Sequence, residues 1–294
     1  MHTNHHPQSA IQFELKLQHI TLSGLQWGPE GGKPIVALHG WLDNAASFNA
    51  LAPLFNRLRP THTIYALDFP GHGRSAHRPP SEIYHFVDFV FDLLVALRHL
   101  KIQRCTLLGH SMGAAVATLA AAAFPEYCDA LVLLDLLGPI SQPDLHTTLP
   151  DFKLHLSERL KYHLKPEKKM RLNQLIEARL PHSQITPEAA QAIVRRNTLP
   201  VDHESEMYQW CFDRRLKMPP PYRFSEIQVL EILRNISTPT LLFLAESTYQ
   251  SHQALFDGRM AAHPALTTHQ LKAGHYLHFS HASEIVQRIH QFLP

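Results

Sequence analysis

The stretch Leu107-Leu108-Gly109-His110-Ser111-Met112-Gly113-Ala114-Ala115 constrains this chain more than any other. Two leucines end an apolar run that reads as a buried strand. A serine then sits two positions from a glycine on either side, and an alanine-rich helical run follows. Strand, tight turn and helix in that order form the context of a nucleophile elbow. The turn forces the serine into a strained backbone conformation, and any side chain at Gly109 or Gly113 would collide with the neighbouring strand or helix. The result is a hydroxyl standing clear of a sheet, above the positive end of a helix. A plain strand-to-helix turn carries the same pattern, so the rest of the chain has to supply partners.

Apolar runs with helical stretches between them surround that feature. Ile11–Leu17 and His19–Trp27 alternate as an antiparallel pair, and Pro34–Leu38 reads as a buried parallel strand. Ser47–Leu58 has helical spacing with Ser47 as its cap. His62–Leu67 is a strand, Ile83–Leu100 a long amphipathic helix, and Arg104–Leu108 and Ala130–Leu134 are two more strands. This alternation predicts a parallel sheet with helices on both faces. From about Pro139 to Ile236 no good strand appears. Helical stretches over Phe152–His163, Glu167–Arg179, Pro187–Arg196, His203–Phe212 and Ser225–Arg234 predict a helical insertion there. The alternation resumes with strands Pro239–Ala245 and Leu266–Leu271 and helices Gln250–Ala262 and Ala282–Phe292. The expected division is therefore a core of residues 1–138 and 237–294 interrupted by an insertion of residues 139–236.

Composition narrows the class. With 294 residues and a formal charge of +2, the chain has length for a sizeable core and no charge excess that suggests nucleic acid. The basic stretch Lys161–Arg171 reads as a solvated helix face. Cys105, Cys128 and Cys211 form no close-spaced pair, as in a reducing compartment. The first ten residues lack an apolar h-region, and the run Met112 to Phe124 is too short to span a bilayer. A cytoplasmic protein with no membrane span is expected. His2, His5 and His6 read as a frayed terminus, and no metal or cofactor is expected.

A serine hydroxyl needs a base within hydrogen-bond reach, and the base needs an orienting acid. In open α/β sheets the reacting groups sit at the carboxyl ends of strands. His275 follows Gly274 directly after the last strand and is the favoured base, ahead of His278. His39 reads as a structural hydrogen-bonder. Two carboxylates are open as the acid. Asp135 ends the strand after the nucleophile's, and Glu246 ends the strand after the insertion. Asp135 is favoured because a carboxylate at the end of the apolar run Leu131–Leu134 is costly to desolvate unless paired. Asp68 reads as a loop brace. Backbone N–H groups of Trp41 and Met112 stand where oxyanion donors are needed.

His39-Gly40-Trp41, Asp68-x-x-Gly71-x-Gly73-x-Ser75, Gly109-His110-Ser111-Met112-Gly113 and Gly274-His275 together resemble the α/β-hydrolase family. His39-Gly40-Trp41-Leu42-Asp43-Asn44 and Gly274-His275-Tyr276-Leu277-His278 are similar to its serine-hydrolase-like (Kraken-type) branch. So, less specifically, is Trp210-Cys211-Phe212-Asp213-Arg214-Arg215-Leu216. The resemblance implies a mostly parallel eight-stranded sheet with helices on both faces and a helical cap at 139–236. It also implies Ser111 as nucleophile, His275 as base, and Trp41 and Met112 as oxyanion donors. Many relatives carry the acid in a Gly-x-x-Asp after the cap, where this chain has Ala245 to Thr248. A subset, including some haloalkane dehalogenases, takes its acid from the position Asp135 occupies.

The expected activity is a carboxylesterase-like serine hydrolase acting on a small-to-medium ester, thioester or lactone. The alternatives are C–C cleavage, acyl transfer or perhydrolysis at the same residues, or a non-catalytic ligand-binding protein.

Overall fold

The computed structural model describes residues 9–142, 148–162, 168–180, 185–201 and 206–294. Strands β1 (Ile11–Lys16), β2 (Thr21–Trp27), β3 (Lys33–Leu38), β4 (His62–Leu67), β5 (Cys105–His110) and β6 (Cys128–Leu134) precede the insertion. Within it lie three short strands, β7 (Met170–Arg171), β8 (Thr198–Pro200) and β9 (Met207–Trp210). Strands β10 (Thr240–Ala245) and β11 (Leu266–Leu271) follow.

Eight strands form one sheet in the order β1-β2-β4-β3-β5-β6-β10-β11. Only β2 runs against its neighbours. The central strands are buried on both faces, as near-continuous apolar runs require. Their side chains divide with period two. Val36, Leu38, Leu107, Leu131 and Leu133 enter one core, and Ile35, Ala37, Leu108, Val132 and Leu134 enter the other.

Helices cover both faces. On one lie α2 (Asp88–His99) and α3 (Met112–Ala123), with α7 (Glu226–Arg234) and α9 (Gln253–Ala262) beside them. On the other lie α1 (Leu51–Leu58), α10 (Leu277–Ser280) and α11 (Ala282–Phe292). The insertion adds α4 (Thr148–Lys161), α5 (Leu172–Arg179) and α6 (Pro187–Arg196), and α8 (Glu246–Ser251) follows β10. Chain order reverses direction across the sheet between β3 and β5. The carboxyl ends of these two strands are therefore the switch point at which ligands of open α/β sheets bind.

Several expectations need correction. The stretch 139–236, expected without a good strand, holds β7, β8 and β9, and Met170–Arg171, expected in a helix over Glu167–Arg179, is β7, with α5 beginning only at Leu172. Met207–Trp210, expected in a helix over 203–212, is strand β9, paired on both sides in the order β7-β9-β8. Its Tyr208 and Trp210 suit a pleated surface better than a helix, and residues 202–205 lie outside the described set. Ser47 caps no helix. It lies in a buried 3-10 turn, Ala45–Phe48, capped by Asn44, and its hydroxyl meets His278 at 2.9 Å. Helix α2 begins at Asp88, not Ile83. Tyr84 Oη holds the preceding loop by accepting from the Arg78 N–H at 3.0 Å and donating to Asp213 at 2.9 Å. The helix expected over Gln250–Ala262 is two helices, α8 and α9, meeting at His252. Part of the basic stretch at 161–171, residues 163–167, lies outside the described residues. Among the described residues, no helix is long and apolar enough to cross a membrane.

Several bonds tie the insertion to the loops after β3 and β4. Asn197 Nδ2 donates to the Leu42 carbonyl at 2.8 Å, and its Oδ1 accepts from the Gly73 N–H at 3.1 Å. Arg196 meets the buried Asp68 carboxylate at 2.7 Å. That carboxylate also accepts from the N–H groups of Ala45 and Arg74, as its expected bracing role requires.

Candidate active site

Ser111 sits between β5 and α3 at φ +51°, ψ −117°, a left-handed conformation that only a tightly held turn imposes on a non-glycine residue. The Ser111 N–H donates to the Leu134 carbonyl at 3.0 Å. Neither neighbouring glycine has room for a side chain. A Cβ at Gly109 would meet the Gly113 carbonyl and the Ala114 backbone, and one at Gly113 would strike the Leu38 carbonyl. Because these obstacles are backbone, they cannot rotate away. Gly113→Ala is expected to destabilise the fold by about 3 kcal/mol, the upper end for overpacking, read as a lowered urea midpoint.

The structure brings Ser111, His275 and Asp135 together. His275 Nε2 lies 3.0 Å from Ser111 Oγ, and His275 Nδ1 lies 2.7 Å from Asp135 Oδ2. Asp135 is buried, and its own backbone is left-handed at φ +57°. Its N–H donates to the Phe243 carbonyl at 2.8 Å, so β10 holds the turn that aims the carboxylate. Oδ1 accepts from the Ala245 N–H at 2.8 Å, and Oδ2 accepts from the Thr248 hydroxyl at 2.7 Å. With two donors besides the imidazole, the buried carboxylate has the company a desolvated charge needs.

Glu246 is elsewhere. It opens α8 and is partly exposed, and its side chain makes no hydrogen bond or ion pair among the described residues. Met112 is the first residue of α3, so its N–H points with the helix N-terminus. Trp41 follows β3, whose Leu38 pairs with Gly109 of β5, which sets the 39–41 loop beside the elbow. His39 accepts the Phe69 N–H at Nε2 (3.0 Å) and meets the Gly40 carbonyl through Nδ1 (2.7 Å). This is the structural role expected of it. His278 is buried away from Ser111, against Ser47.

A second group of side chains, not foreseen from the sequence, braces the loop that carries His275. Asp43 is buried behind the 39–41 loop. It accepts from Tyr276 Oη at 2.8 Å and from Arg179 of α5, whose Nη2 also reaches Tyr276 Oη at 2.8 Å. Tyr276 directly follows His275, so this triangle joins the loop of His275, the 39–43 loop and α5. Burial pushes the Asp43 carboxyl up, against the pull of Arg179, Tyr276 and His275. His110 Nε2 lies 3.0 Å from the His275 carbonyl, which can only accept, so that nitrogen carries the proton. Its bare Nδ1 then lies 3.8 Å from Asp43 Oδ2. Thr248 was equally unforeseen, although it stands at the position where the resembled relatives carry an aspartate. Among the described residues, no group of three or more His, Cys, Asp or Glu is arranged to hold a metal ion.

The alpha/beta hydrolase fold family model matches residues 33–282. A serine hydrolase-like protein of Danio rerio is 27% identical over 299 residues, covering 97% of this chain and 89% of its own length. One of Dictyostelium discoideum is 28% identical over 287 residues, covering 93% and 79%. The crystal structure of a hypothetical protein of Pseudomonas aeruginosa PAO1 is 34% identical and superposes with a TM-score of 0.87 over 96% of this chain and 98% of that one.

Proposed function

The chain belongs to the alpha/beta hydrolase fold family, and on that premise we propose that it is a serine hydrolase cleaving a small-to-medium carboxylic ester, thioester or lactone. The observation that carries this reading is the unbroken hydrogen-bonded line from Ser111 Oγ through His275 to Asp135, at 3.0 and 2.7 Å.

In the proposed mechanism, His275 Nε2 takes the Ser111 proton as Oγ attacks the carbonyl carbon. Asp135 holds the Nδ1–H tautomer and stabilises the imidazolium. The N–H groups of Trp41 and Met112 receive the developing oxyanion, each donor contributing a factor of ~10²–10³ in turnover. The imidazolium protonates the leaving group, and a water activated by His275 then releases the acyl group from Ser111.

A serine nucleophile restricts the chemistry to acyl groups. An alkyl ether on Ser111, the product of attack on a haloalkane, would not be hydrolysed, whereas an acyl ester would. Residues 139–236 serve as the cap in this reading. A cytoplasmic location is part of it too, in keeping with the free thiols of Cys105, Cys128 and Cys211.

A fluorophosphonate probe is the test. It is expected to label wild-type protein at Ser111 and to leave Ser111→Ala unlabelled, alongside turnover of p-nitrophenyl butyrate. Folded protein that resists the probe would overturn the proposal.

A further inference from the structure

A helix on the surface of a globular protein buries its apolar stripe and turns its polar side outward. Helix α4 does the reverse. Asp151, His155 and Glu158, spaced i, i+4 and i+7, share one face. That face is the docked one: His155 is buried and meets the Pro219 carbonyl through Nδ1 at 2.8 Å, and Asp151 accepts from Gln142 Nε2 at 3.2 Å. Leu149, Phe152, Leu156 and Leu160, spaced i, i+3, i+7 and i+11, form a second stripe roughly 140° around the helix from the first. All four are exposed, Leu149 by 74% and Leu160 by 82%. Leu154, off this stripe, is a single exposed side chain of the ordinary kind.

Charge is sorted in the same way. At about 100° per residue, Arg159 falls on one border of the apolar stripe and Lys153 on the other, and both are exposed. Asp151 and Glu158, the two carboxylates of α4, are half-buried on the docked face. The outward face is therefore apolar along its middle and basic along both edges. Leu156 and Leu160 also wall a groove of about 640 Å³ with Pro80, Ile83 and Met218, so the apolar surface continues beyond the helix.

We infer that α4 is a membrane-docking helix, which lies flat on an anionic bilayer with Leu149, Phe152, Leu156 and Leu160 at the acyl boundary and Lys153 and Arg159 among the headgroups. Apolar side chains flanked by long basic ones suit that boundary, because the stems lie along the apolar layer while the charges reach the phosphates. At 14 residues, about 21 Å, the helix can lie on a bilayer and cannot span it. A second copy of this chain fits the stripe less well. Two such stripes packed together would set Lys153 and Arg159 of both copies along one seam, and four side chains are few beside the roughly 20–30 residues per side of a stable interface. The inference stands apart from the hydrolase reading, and its test reads binding alone.

The experiment is flotation of the whole protein with vesicles of phosphatidylcholine, with and without ~30 mol% phosphatidylserine. Wild type is expected to float with the serine-lipid vesicles in ~20 mM salt and to partition less at ~0.5 M salt as screening grows. Leu149→Ser/Leu160→Ser is expected to lower that partition by about 10-fold, since each change removes an apolar side chain from the boundary. Lys153→Glu is expected to lower it by about 10-fold on the serine-lipid vesicles and to leave pure phosphatidylcholine unaffected, because the anionic surface acts on the charge. These positions are exposed, and circular dichroism with the urea midpoint checks that each variant folds as wild type does. Leu160→Trp adds an indole at the most exposed point of the stripe, and its emission is expected to shift to the blue on the serine-lipid vesicles.

Wild type that stays unbound to both vesicle types would overturn the proposal. So would binding that Leu149→Ser/Leu160→Ser retains, or an indole at residue 160 whose emission does not move. A wild-type dimer seen by light scattering, lost in Leu149→Ser/Leu160→Ser and accompanied by no vesicle binding, would give the stripe to a second copy and overturn membrane docking.

Discussion

Asp135→Asn is expected to lower kcat for p-nitrophenyl butyrate by about 10⁴-fold, the loss that accompanies a wrong imidazole tautomer in serine triads, with the fold intact. The hydrogen bonds around residue 135 dictate the reason. Oδ1 accepts from the Ala245 N–H at 2.8 Å, so in an asparagine the carbonyl oxygen must take that place. The amide NH₂ then occupies the place of Oδ2 and faces His275 Nδ1, where the carboxylate now lies at 2.7 Å. An NH₂ facing Nδ1 requires a bare Nδ1, which moves the proton to Nε2. There it points at Ser111 Oγ and removes the base. The Thr248 hydroxyl, 2.7 Å from Oδ2, tolerates the change by rotating to accept.

Glu246→Gln is the matched control. Glu246 lies outside these contacts, and its variant is expected to stay within about twofold of wild type, because exposed substitutions away from such networks have small effects. Circular dichroism and the urea midpoint check the fold of both proteins. The opposite ranking of the two variants would assign the acid to Glu246 and undo the orienting role of Asp135.

The central sheet was legible because each strand there is a short apolar run closed by a turn signal. β3, β5, β6 and β10 fall where Pro34–Leu38, Arg104–Leu108, Ala130–Leu134 and Pro239–Ala245 predict them. The pairing in space of Ser111, His275 and Asp135 was legible for a related reason. A parallel sheet sends every strand's carboxyl end to one edge, so residues 111, 135 and 275 converge without any contact having to be guessed.

The Asp43–Tyr276–Arg179 triangle was not legible. It depends on where α5 docks, and no periodicity in Leu172–Arg179 specifies a partner. Asp43 read only as part of a motif, and its burial emerges when the loop after β3 is covered. Thr248 was missed because a hydroxyl at that position has no chemistry of its own until Asp135 is placed beside it. In the insertion, Met207–Trp210 has the length of either element. Pairing with the nearby β8 on one side and with β7, remote in sequence, on the other decided for strand. Short segments whose partners lie far along the chain carry the weakest local signal.

Lowering the pH from 7.5 is expected to unfold this protein cooperatively between about pH 5 and pH 4, because its buried histidines cannot take the proton that the unfolded chain accepts. His39, His72, His110 and His278 are fully buried, and burial is the largest influence holding each below the ordinary value. His39 and His278 are held at about 3. The hydrogen bonds give the same answer for His39. Its Nε2 accepts the Phe69 N–H at 3.0 Å, and a proton there would set two N–H groups against each other.

The sign follows from proton counting. Below about 6.5 the unfolded chain binds a proton at each of these residues and the folded one does not, so stability falls as pH falls, for His39 and His278 down to their folded pKa of about 3. Each histidine contributes about 1.4 kcal/mol per pH unit over that window. Asp43 and Asp92, whose carboxyls burial pushes up, act in the opposite sense and offset part of the loss. Four histidines against two carboxylates leave a net slope of a few kcal/mol per pH unit, and a domain's total stability of about 5–15 kcal/mol is consumed within roughly two units.

Urea midpoints at pH 7.5, 6.0 and 5.0 check the slope. His278→Gln keeps an amide within reach of Ser47 and cannot be protonated, so it is expected to start lower at pH 7.5 and to fall less steeply by about 1.4 kcal/mol per pH unit. Equal midpoints at pH 7.5 and 5.0 in wild type would mean that these histidines accept protons inside the folded protein.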